Sequence, residues 1–140
     1  MPPTPGGLGG TYGGNAVASA AAQAVLDAFA QEDLVARGAR LGEQLRAGLL
    51  ALQQKYAAIG DVRGLGLMLA IEMVADRKTR APDADAAQRV MERARERGLL
   101  FIKCGVHRNV VRFLAPLVAE EADIRDALGI LDDALKAALA

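Results

Sequence analysis

Two places in this chain carry residue types suited to holding an anion. The first is the run Gly6 to Asn15, GGLGGTYGGN, where six glycines leave main-chain N–H groups open to close approach. Thr11 adds a hydroxyl donor, and Asn15 can cap a helix from Ala16 whose first-turn amides and dipole favour negative charge. Such a turn grips a phosphate but performs no chemistry on it. The competing reading is a flexible lead-in with an ordinary cap, Thr11 serving as a turn hydroxyl. Neither common phosphate fingerprint is present: no lysine follows as in GxxxxGK, and nothing strand-like precedes Gly6 as GxGxxG requires. The second place is Arg112, whose strand neighbours Val110, Val111, Phe113 and Leu114 limit competing water. A guanidinium stays charged and presents a planar fork that matches a carboxylate. Its alternatives are an arginine that snorkels to the surface or pairs with a carboxylate such as Glu72.

Other polar residues offer less. His107 has no orienting partner in view and reads as a solvated loop histidine; Cys104 lacks a partner base and reads as packing. Arg63 reads as a structural pairing near a sheet edge rather than a substrate contact. The basic cluster of Arg77, Lys78, Arg80, Arg89, Arg93, Arg95 and Arg97 is interrupted by Glu92 and Glu96. No aromatic is interleaved with it, so a solvated helix face explains it better than nucleic acid does.

The elements that position these residues follow from periodicity. Asn15 to about Ala30 is nearly all small or apolar and is expected to be a helix buried on most sides. Leu34, Leu41, Leu45, Leu49, Leu52 and Tyr56 mark a second, amphipathic helix, which Gly38, Gly42 and Gly48 weaken. The period then changes. Asp61 to Gly66 reads as a short strand or turn, and Leu67 to Val74 as a strand with Leu67, Leu69, Ile71 and Met73 on one face and Glu72 on the other. Asp76 to Asp83 is a polar loop; Asp83 or Asp85 caps a helix that Gly98 ends. Leu99 to Lys103 and Val110 to Leu114 form a hairpin, and a last helix starts near Glu121. The order predicts an α+β fold, a small, mainly antiparallel sheet covered by helices.

Composition bounds the rest. The 140 residues, 52% hydrophobic, suffice for a real core, and 17 basic against 17 acidic residues leave no global field to steer nucleic acid or a membrane surface. One cysteine excludes an internal disulfide and one His with one Cys cannot build a common zinc site, so no metal is expected. The run Leu65 to Ile71 is too short to cross a bilayer, and a cytoplasmic location is expected.

The ordered set GGLGGTYGGN with AVASAAAQAVLDAF, IGDVRGLGLMLAIEMV, RARERGLLFIKCG and NVVRFLAPL resembles the C-terminal third of class III pyridoxal-phosphate-dependent aminotransferases, over essentially the whole chain. Within that family it is most similar to the 4-aminobutyrate aminotransferases. The resemblance implies the small C-terminal domain of fold type I enzymes over 58–140, linking helices over 15–57, and a phosphate-binding turn over 1–14 that ends a missing large domain. It implies that Thr11, with Gly10 before it, binds the phosphate of pyridoxal 5'-phosphate, in the homodimer reaching the neighbouring subunit's site. It implies that Arg112 binds the α-carboxylate of glutamate or 2-oxoglutarate.

The chain also departs from the family pattern. Ala16 stands where proline is usual and Gly13 where alanine is common, so the turn is expected to be less rigid. Lys103 and Arg108 replace small residues, Arg108 at a position where glycine would allow positive φ, so the loop beside Arg112 is expected to differ. The family's Schiff-base lysine lies before the Gly-Gly-Thr motif; Lys55, Lys78, Lys103 and Lys136 do not match it. A truncated polypeptide, inactive alone, is therefore expected, belonging to an enzyme that moves an amino group from an ω-amino acid to 2-oxoglutarate. A non-catalytic interaction or ligand-sensing module, and acetylornithine or ornithine transamination, are the alternatives.

Overall fold

The computed structural model describes residues 6–7 and 9–140, so residues 1–5 of the 1–14 segment and Leu8 of the Gly-rich run lie outside the described residues. The chain divides into two compact units, the first ending at Leu34 and the second running Val35–Ala140.

In the first unit the Gly-rich run makes a turn and enters helix α1, Ala16–Gln31. Asn15 Oδ1 accepts from the Ala18 N–H at 3.0 Å, the cap its side chain predicts. The expectation that this helix is buried on most sides is not met, since no residue of α1 is buried. Apolar periodicity records how much surface a helix offers for cover, not what covers it.

The second unit is built on a sheet in the order β1-β2-β5-β4, from β1 (Ile59–Leu65), β2 (Met68–Asp76), β4 (Ile102–Cys104) and β5 (Val110–Leu114), with the two-residue β3 (Ala81–Pro82) also paired to β2. All pairs are antiparallel. Against one face pack α2 (Leu34–Lys55), α3 (Ala84–Arg95) and α4 (Glu121–Leu139). Leu67, Leu69, Ile71 and Met73 are buried there, as their alternation predicts, with Val62, Val111 and Phe113 beside them and Leu41, Leu45, Leu49 and Leu52 from α2 opposite. Asp83 is the cap of α3, its carboxylate accepting from the Ala86 N–H. The polar loop Asp76 to Asp83 contains β3, too short for a periodic signal. The strand expected over Leu99 to Lys103 is shorter and later, Ile102–Cys104, because Phe101 instead packs edge-on against Phe113 with ring centroids 4.7 Å apart.

The glycines of α2 weaken the helix by propensity, yet they are where it touches its neighbours. A Cβ on Gly42 would stand 2.5 Å from the Gly66 carbonyl group, so only glycine lets α2 seat against the β1–β2 turn. At its far end, Asp132 of α4 accepts from Lys55 Nζ at 2.7 Å and Tyr56 Oη at 2.6 Å.

Candidate functional site

The other face of the sheet is left exposed, and strand register arranges it in rows. Leu65, Met68 and Leu114 form one row; Arg63, Ala70, Arg112 and Ile102 form the next; Asp61, Glu72, Val110 and Cys104 form the third. Leu65, Met68, Ile102 and Leu114 are exposed although apolar.

Arg112 lies at the middle of this face, flanked by Ala70 on β2 and Ile102 on β4. Its Nε is buried without a hydrogen-bond partner, the one such side-chain atom among the described residues. It makes no ion pair among them either. A guanidinium with its Nε buried, no ion pair among the described residues and small Ala70 beside it can present its outer fork to a bidentate anion.

The carboxylate weighed as its partner is engaged elsewhere. Glu72 Oε2 accepts from Arg63 Nη1 at 2.5 Å, and Arg63 Nη1 also reaches Asp61 Oδ2 at 2.8 Å. Glu72 Oε1 accepts from Asn109 Nδ2 at 3.3 Å. The Arg63 guanidinium holds the Glu72 carboxyl below the usual carboxylate range, and Asp61 and Glu72 together raise Arg63. Arg63 is thus the sheet-edge pairing its sequence context predicts.

Asn109 is the residue that sequence reasoning missed. It is 2% exposed, the one buried polar or charged residue among those described. Its Nδ2 donates to the Met73 carbonyl at 2.8 Å, and its own carbonyl accepts from the Met73 N–H at 2.7 Å. These bonds fix the start of β5 against β2, and a one-residue slip would turn Arg112 into the core. Asn109→Ala is expected to lower unfolding free energy by about 1 kcal/mol, measured by urea titration, because the Met73 carbonyl loses one of two donors and keeps the Asp83 N–H at 3.1 Å. The available signal was an Asn opening an apolar strand, which in sequence reads as a loop residue.

The β4–β5 loop closes with the Arg108 N–H donating to the Gly105 carbonyl at 3.0 Å. Arg108 has φ +54°, so the backbone keeps the left-handed conformation despite the arginine. Strain at a non-glycine residue there costs about 1 kcal/mol. Arg108→Gly is therefore expected to leave stability unchanged or raise it by up to about 1 kcal/mol in thermal melts, the gain limited by glycine's unfolded-state entropy. His107 is exposed in this loop, and Cys104 Sγ meets only the Ile102 carbonyl at 3.4 Å, so neither has the partner a catalytic base or nucleophile needs. Part of the basic cluster is spent within the fold: Arg77 donates to the Gln53 and Tyr56 carbonyls, Arg89 to the Ala138 carbonyl, and Arg93 to Glu96.

In the first unit, Gly10 and Thr11 are exposed and lie in a turn closed by the Gly13 N–H donating to the Gly10 carbonyl at 3.1 Å. A second turn, Asn15 N–H to Tyr12 carbonyl at 3.0 Å, leads into the capped helix, with Gly14 at φ +79°. A Cβ on Gly9 or Gly10 would meet nothing within 4 Å, and the Thr11 hydroxyl makes no hydrogen bond among the described residues.

The family model described as Aminotransferase class-III matches residues 2–135. The chain belongs to the class III aminotransferases. It is 49% identical over 127 residues to the 4-aminobutyrate aminotransferase of Escherichia coli, covering 91% of this chain and 30% of that one. It is 49% identical over 129 residues to the 5-aminovalerate aminotransferase of Pseudomonas putida, covering 92% of this chain and 30% of the relative. A crystal structure of an amine transaminase from an uncultivated Pseudomonas species, in its pyridoxal-phosphate-bound form, superposes with a TM-score of 0.78 at 40% identity, over 94% of this chain and 29% of that one. The chain therefore spans about 30% of the length of the curated relatives it matches. Its α+β architecture is that of fold type I transaminases, and the class III aminotransferases depend on pyridoxal phosphate. The residues present fit that cofactor's phosphate: an open glycine turn, a free hydroxyl and a helix start offer donors. Among the described residues no helix is long and apolar enough to cross a membrane.

Proposed function

We propose that this chain supplies the phosphate grip and the acceptor-carboxylate clamp of an aminotransferase that moves an amino group from an ω-amino acid, 4-aminobutyrate in preference, to 2-oxoglutarate. The observation that carries the reading is Arg112: a guanidinium in the middle of an open sheet face, its Nε buried and no carboxylate paired to it among the described residues. The donor preference rests on the two relatives at 49% identity, both named for ω-amino acids.

Bound pyridoxal phosphate supplies the electron sink for moving the amino group. Thr11 donates its hydroxyl and, with Gly10, its main-chain amide side to the phosphate; in a homodimer this turn serves the neighbouring subunit's site. Arg112 binds the acceptor's α-carboxylate and orients the oxo acid, while Val111 and Phe113 keep the strand dry on its other side. Neither residue transfers a proton. Two of the lysines are committed to other partners, Lys55 Nζ to Asp132 at 2.7 Å and Lys103 Nζ to Gln88 Oε1 at 2.9 Å. As the resemblance implies, we place the lysine that bonds the cofactor in the large domain, and the 140-residue chain alone is not expected to transaminate.

The test is made on the segment joined to the remainder of the family's length. Thr11→Ala is expected to raise the dissociation constant for pyridoxal phosphate about tenfold, the worth of one hydrogen bond to a charged oxygen. Cofactor titration by absorbance measures it; an unchanged constant rejects the role of Thr11. Equal turnover of ornithine and 4-aminobutyrate rejects the donor assignment.

A further inference from the structure

Asn109 ties the start of β5 to its neighbours, and every partner it uses lies in the second unit. Strand β5 meets β2 with Val110 opposite Glu72, and Asn109 stands one step before that pair. Its main-chain carbonyl accepts from the Met73 N–H at 2.7 Å, and its Nδ2 divides two hydrogens between the Met73 carbonyl at 2.8 Å and Glu72 Oε1 at 3.3 Å. The Met73 carbonyl also accepts from the N–H of Asp83, the cap of α3, at 3.1 Å, while Arg63 of β1 holds the other Glu72 oxygen. A chain of hydrogen bonds thus runs from β1 through Glu72 and Asn109 to the start of α3. Gly105 folds back over it; a Cβ there would stand 2.9 Å from Val110 Cγ2 and 3.7 Å from Asn109 Oδ1. Bonds shielded from water in this way hold more firmly than the same bonds on the surface.

We infer that Asn109 is a positioning residue for the acceptor half-reaction, setting where β5 starts along β2 and so where the Arg112 guanidinium stands. This rests on the reading of Arg112 as the acceptor clamp, and it holds whatever else the complete enzyme lays against that guanidinium. An amide suits the place because two donors on one nitrogen meet two acceptors fixed by consecutive residues of one strand. Strand β5 has five residues with Arg112 the third, and β4 on its other side has three, so little ladder is left to absorb a shift at Asn109 before it reaches Arg112. Misplacing a substrate-holding group by about 1 Å can cost up to about 100-fold in rate.

The experiment uses the complete enzyme and follows the two half-reactions separately. Asn109→Ala is expected to raise the apparent dissociation constant for 2-oxoglutarate about tenfold, while the 4-aminobutyrate half-reaction and the affinity for pyridoxal phosphate stay within about twofold of the parent. Asn109→Asp keeps the shape but turns a carboxylate toward Glu72, and a loss of about 30-fold is expected for the acceptor. Adding Glu72→Gln supplies an amide that can donate back to that carboxylate, and is expected to recover at least about threefold of the loss. Thermal melts of each variant establish that the folded enzyme is being compared. Both half-reactions weakened alike, or no recovery in the double variant, overturns the inference. So does a parental acceptor constant in Asn109→Ala when Arg112→Ala is impaired, and that pattern leaves the clamp reading standing. An Arg112→Ala enzyme with an unchanged acceptor half-reaction is the distinct result that rejects the clamp itself, and the positioning role with it.

Discussion

Arg112→Ala is expected to lower kcat/KM for 2-oxoglutarate about 100-fold in the complete enzyme while leaving its affinity for pyridoxal phosphate at the parental value. The magnitude follows from two charge-assisted hydrogen bonds lost together, about 1.5 kcal/mol each at the lower end of their range. Arg112→Lys keeps the charge and loses the fork, so it should fall between the two. Pre-steady-state measurement of the acceptor half-reaction, alongside cofactor titration, separates binding of the oxo acid from retention of the cofactor. Weakened cofactor binding with an intact acceptor half-reaction would reverse the assignments of Thr11 and Arg112.

Gly64→Ala should cost the second unit at least about 3 kcal/mol of stability, with a fall in Tm of roughly 10 °C or more. Gly64 has φ +139°, a conformation L side chains rarely adopt, and a Cβ there would lie 2.1 Å from the Met68 carbonyl oxygen and 2.7 Å from the Leu69 Cα. Both obstacles are backbone, so no rotamer change relieves them. The residue adjoins Arg63, and the strand pair it permits places Arg63 opposite Ala70. A melt of Gly64→Ala within about 2 °C of the parent would show that the β1–β2 hairpin tolerates a register the structure does not contain.

The contrast between these residues shows where sequence stops informing. Strand β2 was legible because alternation of Leu67, Leu69, Ile71 and Met73 is a local consequence of burying one face. Helix α4 was legible from its leucine spacing and acidic first turn, and the Asn15 cap from its position before an apolar run. Gly42 was legible only as a weakness of its helix and Gly64 only as part of a short strand or turn, since their use depends on a backbone approaching from elsewhere in the chain. The apolar surface of α1 was legible, its cover was not. At the site, chemistry marked Arg112 as a carboxylate binder but left Glu72 open as its partner. Only the sheet order decides that, because it brings Arg63 and Asn109 to the two Glu72 oxygens. Asn109 escaped notice for the same reason: its partners are Met73 and Glu72, more than thirty residues away. Arg108 was expected to alter its loop, yet it holds φ +54°, because the turn closed by Gly105 accepts the strain.

The most direct measurement is a crystal structure of the complete enzyme with 2-oxoglutarate bound. The account places the acceptor's α-carboxylate on the outer nitrogens of Arg112 at about 2.8 Å, with Glu72 still held by Arg63 and Asn109. An acceptor carboxylate bound by another residue, with Arg112 closed onto Glu72, would contradict it.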